Sequence, residues 1–209
     1  MAKPKTYVFR PLKGITLAAV ILIVAKLIVL ALVAGFQLVG AIQGTGLDPQ
    51  DLKNPLSVAF DLASIPFLCI LIVSGIVSLM WIYGAARNTR ALRPEIQMTP
   101  GWAVGWFFVP FASLYKPYET VRDIWLTSFG PAMGGGYRRP AGLVVAWWWS
   151  FLIGNACDYA STRIQGVTGA WVSGVGYGLG FLATALFLII VRGVTKRQMA
   201  FNTRVAEIF

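Results

Sequence analysis

The residues of this chain that could do chemistry are few. Glu119 and Asp123 stand four apart, Lys26 sits inside an apolar run, and Gly174–Gly178 (GVGYG) has the glycine rhythm of a potassium-channel filter. On a helix the two carboxylates share a face, which would suit a divalent ion or an acid/base pair. With Lys116 and Arg122 beside them, a solvated and balanced charge face is the commoner outcome. The chain has no histidine, so the commonest general base and metal ligand is absent, and Cys69 and Cys157 cannot complete a metal site alone. We therefore expect no enzyme activity, no cofactor and no metal.

Lys26 is the sharpest oddity. A lysine near the centre of a span costs about 2.5–3.5 kcal/mol on insertion scales, so it should face the interior and find partners. No carboxylate lies at its depth. Ser74, Tyr83, Tyr177, the aromatic faces of Trp147–Trp149 and carbonyls freed at Pro110 are the available groups. Lys26, Ser74 and Tyr177 thus make a candidate intramembrane polar site, tied to the segment around Pro110. The competing reading is that Lys26 snorkels or sits neutral. In GVGYG, Gly174 replaces the filter threonine and only about a dozen apolar residues follow, too few for a full inner helix. The same glycines read better as two helix-packing pairs, Gly174/Gly178 and Gly176/Gly180, which also leave self-association open.

These groups must be positioned by apolar helices. A chain of 209 residues that is 57% hydrophobic and 12% charged has too little polar surface to cover a water-soluble globule. Four runs, about residues 15–39, 62–86, 141–157 and 167–191, approach the roughly 20 helical residues that cross a hydrocarbon core. The third is short. The first is too long for a cleaved signal and reads as an uncleaved helix. With both termini cytoplasmic, the eighteen Lys and Arg less Lys26, Lys53 and Arg163 leave fifteen on the inner side, as the charge rule demands. The same placement beside span ends accounts for the net charge of +10 without nucleic acid. Cys69 and Cys157 fall toward the outer leaflet, where two free buried thiols are favoured over a disulfide.

Residues 100–115 break the pattern. PGWAVGWFFVPFASLY is uncharged, aromatic and interrupted by Pro110, too short and too broken for an ordinary span. A fifth crossing would move Lys116, Arg122, Arg138, Arg139 and the basic tail outside. We expect a re-entrant or interfacial segment that enters and leaves on the cytoplasmic side. An amphipathic surface helix over about 117–128 follows, with Pro117 in its first turn and Glu119 near the positive end of its dipole. Its Tyr118, Val121, Ile124 and Trp125 face either dips into the membrane or packs on the ends of the other helices. The glycine-rich residues 130–140 carry no phosphate-loop signature.

Trp81–Leu92 (WIYGAARNTRAL) followed by Pro100–Trp125 (PGWAVGWFFVPFASLYKPYETVRDIW) resembles the bacterial membrane family known as domain of unknown function 4328, with a weaker echo in Val191–Gln198 (VRGVTKRQ). Phe107 and Ser113 stand where that pattern typically has Trp and Asn. The resemblance implies an integral membrane protein of several spans, with no catalytic set or cofactor to transfer.

The fold expected is all-α, a single membrane domain of four transmembrane helices plus the proline-broken segment and the surface helix. The function expected is binding at an inner-membrane platform. Arg87, Asn88, Arg90, Lys116 and Arg122 would contact anionic lipid head groups or a partner protein; Trp102, Trp106 and Trp125 would set depth, and Pro100, Pro110 and Pro117 would shape it. The alternative is a small-solute or anion transporter or channel, its path lined by the broken segment and Lys26.

Overall fold

Long uninterrupted helices dominate because the apolar runs contain few breakers and, in lipid, a helix satisfies every backbone group internally. A computed structural model of the protein describes residues 7–43, 55–96, 98–128, 141–164 and 166–206. In chain order the helices are α1 (Lys13–Gln43), α2 (Pro55–Leu92), the short α3 (Pro100–Gly105), α4 (Lys116–Thr127), α5 (Gly142–Ser161) and α6 (Gly166–Ala206). Single 3-10 turns at Trp106–Phe108 and Ala112–Leu114 lie between α3 and α4. No strand occurs among the described residues.

Three helices are long and apolar enough to cross a membrane, over Lys13–Gly35, Ile65–Leu92 and Gly166–Ala200. Their outward residues, among them Leu17, Ile21, Ile28, Leu32, Ile65, Ile72, Val167 and Val175, are large, apolar and exposed, a surface that water would not tolerate. The expected fourth span, 141–157, is a 20-residue helix, α5, but its apolar character is diluted by Trp147–Trp149, Asn155 and Asp158. Two helices outrun the sequence expectation. At 38 and 41 residues, α2 and α6 extend roughly 57 and 62 Å, about twice the hydrocarbon thickness.

The chain divides into two compact units. The first comprises residues 1–20, 76–145 and 187–209, and the second residues 21–75 and 146–186. In the second unit α5 and α6 meet through glycine. A Cβ on Gly154 would stand 3.3 Å from the Gly176 carbonyl oxygen and the Gly180 amide nitrogen, and one on Gly176 would overlap the Asp158 carboxylate. A Cβ on Gly174, Gly178 or Gly180 would meet nothing within 4 Å. The close approach therefore runs along the Gly176/Gly180 face, where Gly176 alone has no room for a side chain, and the motif is continuous helix, with no loop of carbonyls. Trp147 and Trp148 are buried in the same unit, and Trp148 stacks on Phe151 at 5.4 Å.

Candidate functional site

The first unit holds the central segment, and its backbone explains the proline placement. Thr99 caps α3, its hydroxyl accepting from the Trp102 amide, with Pro100 in the first turn where no amide hydrogen is missed. After the turn at Trp106–Phe108 the chain reverses at Phe111, which has φ 60° and ψ −46° while the Ala112 amide donates to the Pro110 carbonyl at 2.7 Å. This is a γ-turn of the rare, strained hand. It folds α3 and the 3-10 turns back against α4. No helix within residues 100–115 approaches spanning length. Phe108 and Phe111, at 72% and 84% exposure, form the apolar tip of the reversal.

Around the tip the aromatic side chains are ordered by stacking and by one cation. Trp102 stacks on Trp106 at 4.5 Å, and the Lys116 ammonium lies 6.0 Å from the Trp106 ring and 5.1 Å from the Tyr115 ring. Lys116 also bonds Glu119 at 2.7 Å, and that bond holds its ammonium above the ordinary lysine range. Asp123 pairs with Arg122 at 3.2 Å. The two carboxylates are thus neutralised separately along the helix, and no group of three metal-ligating side chains occurs among the described residues.

Of the two fates left open for α4, the structure has the packed one. Val121 and Ile124 are fully buried, and Trp125 lies against Gly193 of α6 with the Arg197 guanidinium 4.6 Å above its ring. Trp125 cannot set membrane depth from there; its slot exists because Gly193 has no side chain. Asn88 needs the same correction. It is wholly buried, so it contacts neither head group nor partner. Its amide instead holds the N-terminal strap: the Arg10 amide donates to Asn88 Oδ1 at 3.0 Å, and Asn88 Nδ2 donates to the Arg10 carbonyl at 2.8 Å.

From Asn88 a buried polar network spreads to three further elements. Asn88 Nδ2 also reaches Gln198 Oε1 at 3.3 Å, and Gln198 Nε2 reaches the Ala85 carbonyl, Thr89 Oγ1 and Ser128 Oγ at 3.3, 3.4 and 3.3 Å. One turn away, Trp81 Nε1 donates to Thr195 Oγ1 at 3.1 Å, and Thr195 meets Thr16 of α1 at 2.9 Å. Strap, α1, α2, α4 and α6 are therefore locked by side chains whose alternative partners were excluded with the water. Gln198, Thr195, Ser128, Thr16 and Gly193 escaped the sequence reading. The available signal was polar residues at helical spacing, Thr195 and Gln198 on α6 against Asn88 and Thr89 on α2, but polar ends of spans are read by default as solvated.

No hydrogen bond links Lys26, Ser74 and Tyr177 among the described residues. Lys26 is partly exposed and has no hydrogen-bond or ion-pair partner among the described residues. Ser74 is buried, and the Tyr177 side chain is hydrogen-bonded with Ser173. Cys69 and Cys157 are both free, as expected, but Cys69 is exposed.

The long, exposed apolar helices identify the class as an all-helical membrane protein. Residues 46–196 match the family described as Domain of unknown function (DUF4328), and the chain belongs to it. No curated protein and no solved structure matches the chain.

Proposed function

We propose that this is a non-enzymatic protein of the bacterial inner membrane, with four spans, both termini cytoplasmic, and a binding platform on the cytoplasmic side built from residues 100–127. One observation carries the reading: the γ-turn at Phe111 returns the chain upon α4 and leaves Phe108 and Phe111 outermost. A strained reversal with an aromatic tip has no packing purpose within the chain, and strain of about 1–3 kcal/mol persists only where the surroundings impose it. Buried in the inner leaflet, the tip would remove two phenyl groups from water, while Lys116 and Arg122 stay at head-group level. Arg87 and Arg90 stand on the same unit. The fourth span in this reading is α5, whose tryptophans suit an interfacial position.

The test uses Phe111→Cys in a chain whose Cys69 and Cys157 are replaced by serine, labelled with an environment-sensitive dye in vesicles carrying quenchers at graded depth. Quenching from the shallow acyl positions is expected, and a dye spectrum matching water would remove the re-entrant or interfacial placement. Crosslinking from Trp102 and Phe108 in native membranes then names the partner. Solute flux abolished by Lys26→Met would favour the transport reading instead.

A further inference from the structure

Residues 98–127 expose apolar side chains while carrying no net charge. Trp102, Leu114 and Tyr115 are exposed along with the tip residues Phe108 and Phe111, and the ionic groups of the stretch are Lys116 and Arg122 against Glu119 and Asp123. Each cation has an acid of its own helix beside it, Glu119 at 2.7 Å from Lys116 and Asp123 at 3.2 Å from Arg122. Such part-exposed pairs hold weakly, but the local balance of charge survives whether or not they stay closed. Aromatic rings also engage both cations, Tyr115 at 5.1 Å from the Lys116 ammonium and Tyr118 at 5.7 Å from the Arg122 guanidinium. Interfacial binding scales with buried apolar area plus the attraction of uncompensated basic residues for anionic lipid. Only the first of these is present on this face.

We propose that the occupant of this face is the boundary between acyl chains and head groups whatever the lipid charge, with Glu119 and Asp123 cancelling the pull that Lys116 and Arg122 would otherwise exert on anionic head groups. The inference rests on the inner-leaflet placement of the tip proposed above and adds which lipids hold it there. An uncompensated basic residue near an anionic surface gives roughly a fivefold preference for it, so two of them would make insertion follow the content of anionic lipid. The two acids thereby keep the depth of the tip independent of lipid composition and of salt.

The experiment places the environment-sensitive dye at Phe108→Cys, in the chain whose Cys69 and Cys157 are replaced by serine. The ratio of membrane-buried to water-exposed signal is read after reconstitution in phosphatidylcholine, and in phosphatidylcholine mixed equally with phosphatidylglycerol. The two ratios are expected to agree within about twofold, and to hold in about 1 M salt, where the screening length falls to roughly 3 Å. Adding Phe111→Ser should lower the ratio at least about tenfold in both lipids alike. From that lowered level, Glu119→Gln with Asp123→Asn should raise it about tenfold with phosphatidylglycerol only, and salt should abolish the gain. With the acids intact, a rise of more than about twofold on adding phosphatidylglycerol would overturn the charge independence and leave the inner-leaflet placement standing. No gain on removing the acids would overturn their cancelling role, and a ratio unmoved by Phe111→Ser would overturn apolar burial as the source of insertion. A water-like signal in both lipids would instead remove the placement itself, and with it the bilayer as occupant.

Discussion

The two units of this chain hold helices together by different means. In the second, α5 and α6 approach through Gly154, Gly176 and Gly180, and the side-chain hydrogen bonds of Asn155, Ser161 and Thr184 return to carbonyls of their own helices. In the first, side chains bond across elements, with Asn88 and Gln198 as hubs. Where the neighbours are lipid tails, association has no hydrophobic drive and depends on close backbone contact. A buried amide is restrictive in the other way. It has one satisfactory arrangement, so it specifies where strap and α4 dock, and the residues that resemble the family most strongly fall mainly in this unit.

The comparison can be broken at four points. Trp125→Ala removes a nearly buried indole from the slot over Gly193, and a loss of about 3–5 kcal/mol is expected in reversible unfolding in mixed micelles. A change under about 1 kcal/mol would mean that α4 is not held as described. Asn88→Leu orphans the Arg10 amide and carbonyl together with one Gln198 contact, at about 1–3 kcal/mol for each buried group left unpaired. Protease sensitivity should then rise first at the strap near Arg10; uniform sensitivity along the chain would deny the hub its local role. Gly154→Val forces α5 and α6 apart and should cost about 1–3 kcal/mol by overpacking, with cleavage appearing in the second unit and the strap still protected. Smallest of all, Gly178→Ala meets open space and should stay within about 0.5 kcal/mol of wild type, so any larger loss would show that the Gly174/Gly178 pair is in use.

Residue by residue, the chain was legible where one-dimensional pattern suffices. Apolar run length located α1, α2 and α6, though not how far α2 and α6 continue past the apolar stretch, because helical periodicity persists through Arg87–Leu92 and Val191–Ala200 after hydropathy has fallen. Proline spacing announced the broken segment and the start of α4. The roles of Asn88 and Trp125 were misread for a single reason: a polar or amphipathic residue at a span end looks solvated until the element that covers it is known. Gln198, 110 positions from Asn88, covers one, and Gly193 accommodates the other.

Composition and run length alone determined that this protein is helical and that lipid is part of its solvent, since those depend on properties summed along the chain, whereas the family is carried by the particular residues of Trp81–Leu92 and Pro100–Trp125. Which polar residues are buried and which glycines face a neighbouring helix were decided only by tertiary structure. Burial and charge pairing are relations between distant residues, and no local pattern contains them.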